Sequence, residues 1–186
     1  VACGDADGAV TGNTRRFGAS LDKIKQVADV RDGEIMFGLN MVVYKGKTIF
    51  VGDTSVHEYP TSEQLAEIAI STVRVVRLFG FEPKVAFVSH STFGQPLTSR
   101  TKHIRKAVDI LKEKKVDFEF DGDMQPDVAL NSEYEELYPF SKIVGKANIL
   151  IMPGQHSAAI SYKMMKTLGD TKVIGPLLIG LGLPIE

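Results

Sequence analysis

The chain lacks tryptophan and has one cysteine and four histidines among its 186 residues. A lone Cys3 excludes an intramolecular disulfide framework and any zinc centre built on several thiolates. The histidines, at positions 57, 90, 103 and 156, show no paired HxxxH spacing, which argues against a zinc site of that kind. An excess of one charge is missing too: 22 basic and 23 acidic side chains leave a formal net charge of −1. No basic stretch is dense enough for a nucleic-acid footprint, so an anionic ligand must be held by local groups. Long hydrophobic runs are absent, since Val173 to Leu183 is short and broken by glycine and proline. With no signal-like leader either, the expectation is a cytoplasmic protein with no membrane and no nucleic-acid partner.

What is present is ordinary globular material, 44% hydrophobic and 24% charged, enough for one domain or two small lobes sharing a hinge. Helix-like and strand-like segments alternate, the pattern of an α/β fold with crossover helices. Phe17, Leu21, Ile24 and Ala28 recur at three- and four-residue steps and predict a helix over Thr14 to Ala28. Ile35 to Val43 and Thr48 to Val51, joined by Lys45-Gly46-Lys47, read as a hairpin that marks the edge of a mixed sheet. After Pro60, Thr61 and Gln64 form a capping box, and Leu65, Ile68, Ala69, Thr72, Val76 and Phe79 make one apolar stripe ending at Gly80. Short strands are expected at Lys84 to Ser89, Phe118 to Phe120, Asn148 to Met152 and Lys172 to Ile174. Helices are expected at Ser99 to Lys115, Pro126 to Asn131, Ser132 to Leu137 and His156 to Leu168.

Both ends read as cut. Val1-Ala2-Cys3 before Gly4 to Gly8 resembles the tail of a buried strand entering a turn, and Gly182 to Glu186 stop without a helix to cover the preceding strand. The expectation is a piece of a longer polypeptide.

In open α/β sheets, ligands bind beyond the carboxyl ends of strands, where loops enter helix N-termini. Four polar segments follow predicted strands: Asp7 to Arg16, Ser89 to Gln95, Asp121 to Asp123, and Pro153 to Ser157. Their candidate ligand contacts are Thr11, Thr14, Arg15, Ser89, Ser91, Thr92, Asp121, His156 and Ser157, whose hydroxyls, backbone N–H groups and one guanidinium suit phosphate or carbonyl oxygens. The plainer reading of each segment alone is turn and N-cap chemistry. Asp5/Asp7 and Asp121/Asp123 bracket glycines and read as turn formers ahead of metal ligands. His103 reads as solvent-facing, and Lys112 to Lys115 as a solvated helix end. His90 flanks two serines, but no acidic partner for a catalytic triad can be assigned.

The order of segments resembles the phosphotransacetylase (phosphate acetyl/butyryltransferase) family over nearly the whole chain. The matching motifs are Asp7-Gly8 with Thr11-Gly12, Val51-Gly52-Asp53, and Pro60 with Glu63 to Ala69. They continue through Ser89 to Thr92, Asp121 to Ala129, Gly145 to Pro153 and Ile174 to Leu181. Gly4 to Arg15, Val56-His57 and Met152 to Ala158 are similar to the branch fused to bacterial NADP-dependent malic enzymes. The resemblance implies two α/β lobes around a cleft, with mixed, mainly parallel sheets and flanking helices. Residues 1–30 would end a first lobe, 31–170 form an inserted second lobe, and 171–186 return toward the first. It also implies a homodimer or larger assembly, acetyl-CoA or phosphate as ligand and a covalently fused malic-enzyme domain. No cofactor is expected in this chain, whereas the parent enzyme would use NADP and a divalent metal.

The same resemblance implies no catalysis here. The transferases' Ser-Arg and acidic catalytic residues follow the stretch at which this sequence stops, and Gly18 stands where their arginine-proline pair is expected. The preferred expectation is an acetyl-CoA-sensing regulatory and assembly domain. A working phosphate acetyltransferase and a purely structural oligomerisation domain are the alternatives.

Overall fold

The computed structural model describes every residue except Asn13 and Glu186. A short helix, α1 (Phe17–Ile24), leads to the strands β1 (Phe37–Tyr44) and β2 (Lys47–Gly52). There follow α2 (Ser62–Leu78), β3 (Lys84–Val88), α3 (Ser99–Lys114), β4 (Glu119–Met124) and α4 (Pro126–Leu130). After a 3-10 turn at Ser132–Tyr134 come β5 (Ile149–Ile151), α5 (Gln155–Leu168) and β6 (Thr171–Ile179). The strands form one sheet in the order β4-β3-β5-β2-β1-β6. β2, β5, β3 and β4 pair in parallel, while β1 is antiparallel to both β2 and β6. Every strand but β1 therefore runs the same way, and the mixed, mainly parallel α/β architecture is the one expected.

Local rules explain most of the elements. Lys45 and Gly46 take φ of 47° and 75°, the left-handed pair that a two-residue hairpin turn demands. At the start of α2, Thr61 Oγ1 accepts from Gln64 N at 3.1 Å and Gln64 Oε1 accepts from Thr61 N at 2.8 Å, which satisfies two otherwise orphaned donors. The α2 stripe of Leu65, Ile68, Ala69 and Val76 is buried with Leu39, Phe50 and Phe87 of the sheet and Ile104 and Leu111 of α3. Each large side chain so buried contributes roughly 2 kcal/mol. The opposite face carries Val42, Val51, Ala86 and Leu150 under α4 and α5, with Ala129 and Ala158 as helix contacts. A third cluster joins α1 (Leu21, Ile24) to Leu178, Leu181 and Ile185.

Several expectations are corrected. The hairpin is interior, because β6 adds beside β1; β4 and β6 are the edges. α1 is shorter than Thr14 to Ala28, since Arg16 at its N-cap offers no side-chain acceptor to hold an earlier turn. β4 runs through Asp121-Gly122-Asp123, which the sequence places in a turn, because the pairing with β3 continues to Met124. β6 continues past Gly175-Pro176 to Ile179, with a register shift opposite Leu39 and Met41 absorbing the irregularity. Phe79 caps α2 and is exposed rather than part of the stripe. His103 is exposed as expected, yet its ring joins two helices: Nε2 donates to Pro60 O at 2.8 Å and Nδ1 lies 3.0 Å from Ser62 Oγ. No described helix is long and apolar enough to cross a membrane.

Candidate functional site

The parallel strands send the N-termini of α2, α3, α4 and α5 to one edge of the sheet, the carboxyl edge. Orphaned N–H groups and the positive ends of the helix dipoles gather there. Of the candidate residues, Ser89, Ser91 and Thr92 lie just past β3, and His156 and Ser157 open α5. Between the first turns of α2 and α3 lies a cavity of about 320 Å3 lined by Tyr59, Ser99, Arg100, His103 and Pro153. The Arg100 guanidinium stands over the Tyr59 ring at 5.6 Å.

The loop after β3 is tied to β4 by one carboxylate. Asp123, fully buried, accepts from Ser91 Oγ in a short hydrogen bond and from Gly94 N at 3.0 Å. Ser89 Oγ lies 3.2 Å from Ser91 Oγ, and Gln125 N donates to Thr92 Oγ1 at 3.3 Å. Ser91 is itself fully buried, so its hydroxyl is committed to the loop. Asp121 is also inward: its carboxylate accepts from Gly122 N and Lys142 N, at 2.9 and 2.8 Å, and fastens the segment before β5.

A second buried carboxylate organises the loop after β2. Asp53 is 2% exposed and accepts from the main-chain N–H groups of Gly38, Ser55, Val56 and His57. The His57 ring adds a fifth donor, Nδ1 to Asp53 Oδ2 at 2.8 Å. A carboxylate only accepts, so Nδ1 carries the proton and Nε2 is left to face a partner. α5 is docked on this loop through Gln155, whose N donates to His57 O and whose Nε2 donates to Ser55 O, both at 3.2 Å. Gly154 is required there, since a Cβ would lie 2.5 Å from Glu58 O. His156 Nε2 then reaches Glu58 Oε1 at 3.3 Å, and Ser157 Oγ donates to Gly154 O at 2.8 Å.

Thr11, Thr14 and Arg15 occupy a different place. All three are exposed and line an open cavity of about 770 Å3 together with Ser20, Lys23 and Ile185. Thr11 also borders Gly175 to Leu178 of β6, and three strands separate β6 from β3, roughly 19 Å at ordinary strand spacing. The structure thus draws the candidates into two groups, one along β3 and β5 and one beside α1 and β6. Val56 links them, packing on the cluster of Leu21, Ile24 and Leu181 while its neighbours hold α5. Asp53, His57 and Asp123 were not among the sequence candidates. The signals available were the Val51-Gly52-Asp53 and Val56-His57 motifs, with His57 four residues after Asp53, and the Asp121 to Asp123 segment past a predicted strand.

Comparison with known proteins agrees with this architecture. The family model described as phosphate acetyl/butaryl transferase matches residues 1–186. An NADP-dependent malic enzyme from Rhizobium meliloti is 46% identical over 186 residues, covering all of this chain and 24% of that protein. A phosphate acetyltransferase from Bacillus subtilis is 33% identical over 185 residues, 98% of this chain and 57% of that protein. Among solved structures, a phosphotransacetylase from Streptococcus pyogenes superposes with a TM-score of 0.91 at 29% identity, covering 99% of this chain and 57% of that one. The chain spans about a quarter of the length of the malic enzymes it matches.

Proposed function

The chain belongs to the phosphate acetyl/butaryl transferase family, and from that membership we propose that it is an acetyl-CoA-binding regulatory and assembly domain of an NADP-dependent malic enzyme. The observation that supports the reading is the match over the whole of this chain to malic enzymes, at 46% and 38% identity for two of them, in which it corresponds to about a quarter of the protein. In this reading a malic-enzyme domain on the same polypeptide supplies NADP and divalent-metal chemistry, and this domain supplies ligand sensing and contacts between copies. Residues 1–30 and 171–186 belong to one lobe and 31–170 to the other. Acetyl-CoA exerts control only by binding one state of the assembly better than another.

Two features support a ligand: helix N-termini gathered at the carboxyl edge of the sheet, which suit phosphate and thioester oxygens, and, in the separate group beside α1 and β6, the exposed Arg15 beside Thr11 and Thr14. Calorimetry on the full-length protein tests this. Wild type is expected to bind acetyl-CoA and Arg15→Ala to bind it on the order of tenfold more weakly, the loss of one charge-assisted contact. Equal affinities would remove Arg15 from the site. The alternative is a working phosphate acetyltransferase, favoured by the match to the Bacillus subtilis enzyme of that name over 98% of this chain.

A further inference from the structure

Asp53 holds its loop with more donors than the loop needs. Four main-chain N–H groups, from Gly38, Ser55, Val56 and His57, already close on the two carboxylate oxygens. The His57 ring is a fifth donor, and it is partly open, with 18% of the side chain exposed. Anchoring alone uses one nitrogen of that ring. The other, Nε2, has no hydrogen-bond partner among the described residues, while its orientation is fixed by Asp53 behind it. A carboxylate behind an imidazole sets the tautomer and the ring plane, as it does for histidines that bind ligands.

We propose that His57 Nε2 is a receptor for a phosphate group, with Asp53 as its positioning residue. The inference rests on the acetyl-CoA reading above and adds a residue that reading does not contain. Phosphate fits both ring states: a neutral imidazole accepts from a protonated phosphate oxygen, and an imidazolium donates to an ionised one. The surroundings suit an anion. Gln155 ties the N-terminus of the fourteen-residue helix α5 to His57 O at 3.2 Å, bringing its first N–H groups beside the loop. Besides Asp53 behind the ring, the loop carries one further acid next to His57, Glu58, which lies 3.3 Å from His156 Nε2. The loop also bridges the two groups of candidate residues, through Val56 on the α1 side and Ser55 on the α5 side.

Two substitutions separate receptor from brace. In His57→Asn the amide nitrogen takes the place of Nδ1, keeping the bond to Asp53 and removing Nε2. In His57→Gln the amide reaches the Nε2 position instead. Calorimetry on the full-length protein with acetyl-CoA, 3′-dephospho-acetyl-CoA and inorganic phosphate reads the outcome. His57→Asn is expected to weaken acetyl-CoA or inorganic phosphate on the order of tenfold at an unchanged thermal midpoint, with His57→Gln within about threefold of wild type. If dephospho-acetyl-CoA is indifferent to His57→Asn, the group bound is the 3′-phosphate; a loss with inorganic phosphate identifies the free ion. Unchanged affinity of His57→Asn for all three probes would overturn the proposal and leave the acetyl-CoA reading standing. If wild type binds none of them, both fall.

Discussion

The loops after β2 and β3 are each held by the aspartate of a Gly-Asp pair, Asp53 of Gly52-Asp53 just past β2 and Asp123 of Gly122-Asp123 inside β4, and each aspartate is almost wholly buried. Asp123 receives a serine hydroxyl and a main-chain N–H, and Ser91 on the other side of that bond is fully buried as well. Asp53 receives four main-chain N–H groups and an imidazole whose second nitrogen is unpaired and whose ring is partly exposed. One corner closes on itself, whereas the other ends in a group able to meet a ligand. A buried carboxylate at a strand end is therefore insufficient as a sign of function. What lies on the far side of its partner decides.

Asp53→Asn turns an amide NH2 toward donors and strands several of them, so it is expected to cost about 3 kcal/mol or more. Asp123→Asn, with fewer bonds to lose, is expected to cost about 2 kcal/mol. Denaturant titration measures both. Acetyl-CoA affinity should fall in Asp53→Asn and stay unchanged in folded Asp123→Asn; equal effects on binding would erase the distinction between the corners.

A third carboxylate, Glu63, lies on the surface. Glu63 is drawn from 4.5 to about 2, first by its hydrogen bond to Lys106, 2.6 Å away. Its folded value lies below the unfolded one, so its contribution is present above about pH 4.5 and lost as pH falls through about 2. Because the pair is exposed, salt screens it. In Lys106→Met the carbon-13 titration of Glu63 is expected to return toward the ordinary carboxylate range, and an unmoved midpoint would show that Lys106 is not the cause.

Legibility in the sequence followed the range of the interactions. The capping box of α2, the Lys45-Gly46 turn and the apolar stripe are fixed by neighbours a few residues apart, and they form as expected. The interior position of the hairpin depends on β6, more than a hundred residues away, and no periodicity in β1 records it. Asp121 and Asp123 look like turn residues because aspartate beside glycine suits turns. Their burial is made possible by donors from Gly94 and Lys142, distant in sequence. Ser89 to Gln95 and Pro153 to Ser157 were legible as strand-end loops, but Asp121 to Asp123 lies inside β4 and Thr11 to Arg15 follows no described strand; the division into two groups depends on strand order, and the role of Asp53 depends on Gly38, a neighbour only in space.

On the proposed reading, this domain would bind acetyl-CoA as a signal without turning it over. The direct measurement is acetyl phosphate formation from acetyl-CoA and inorganic phosphate by the full-length protein, at acetyl-CoA concentrations that calorimetry shows to be saturating. Binding with little or no acetyl phosphate is the expected result. Robust acetyl phosphate formation would contradict the account and make the domain a working acetyltransferase.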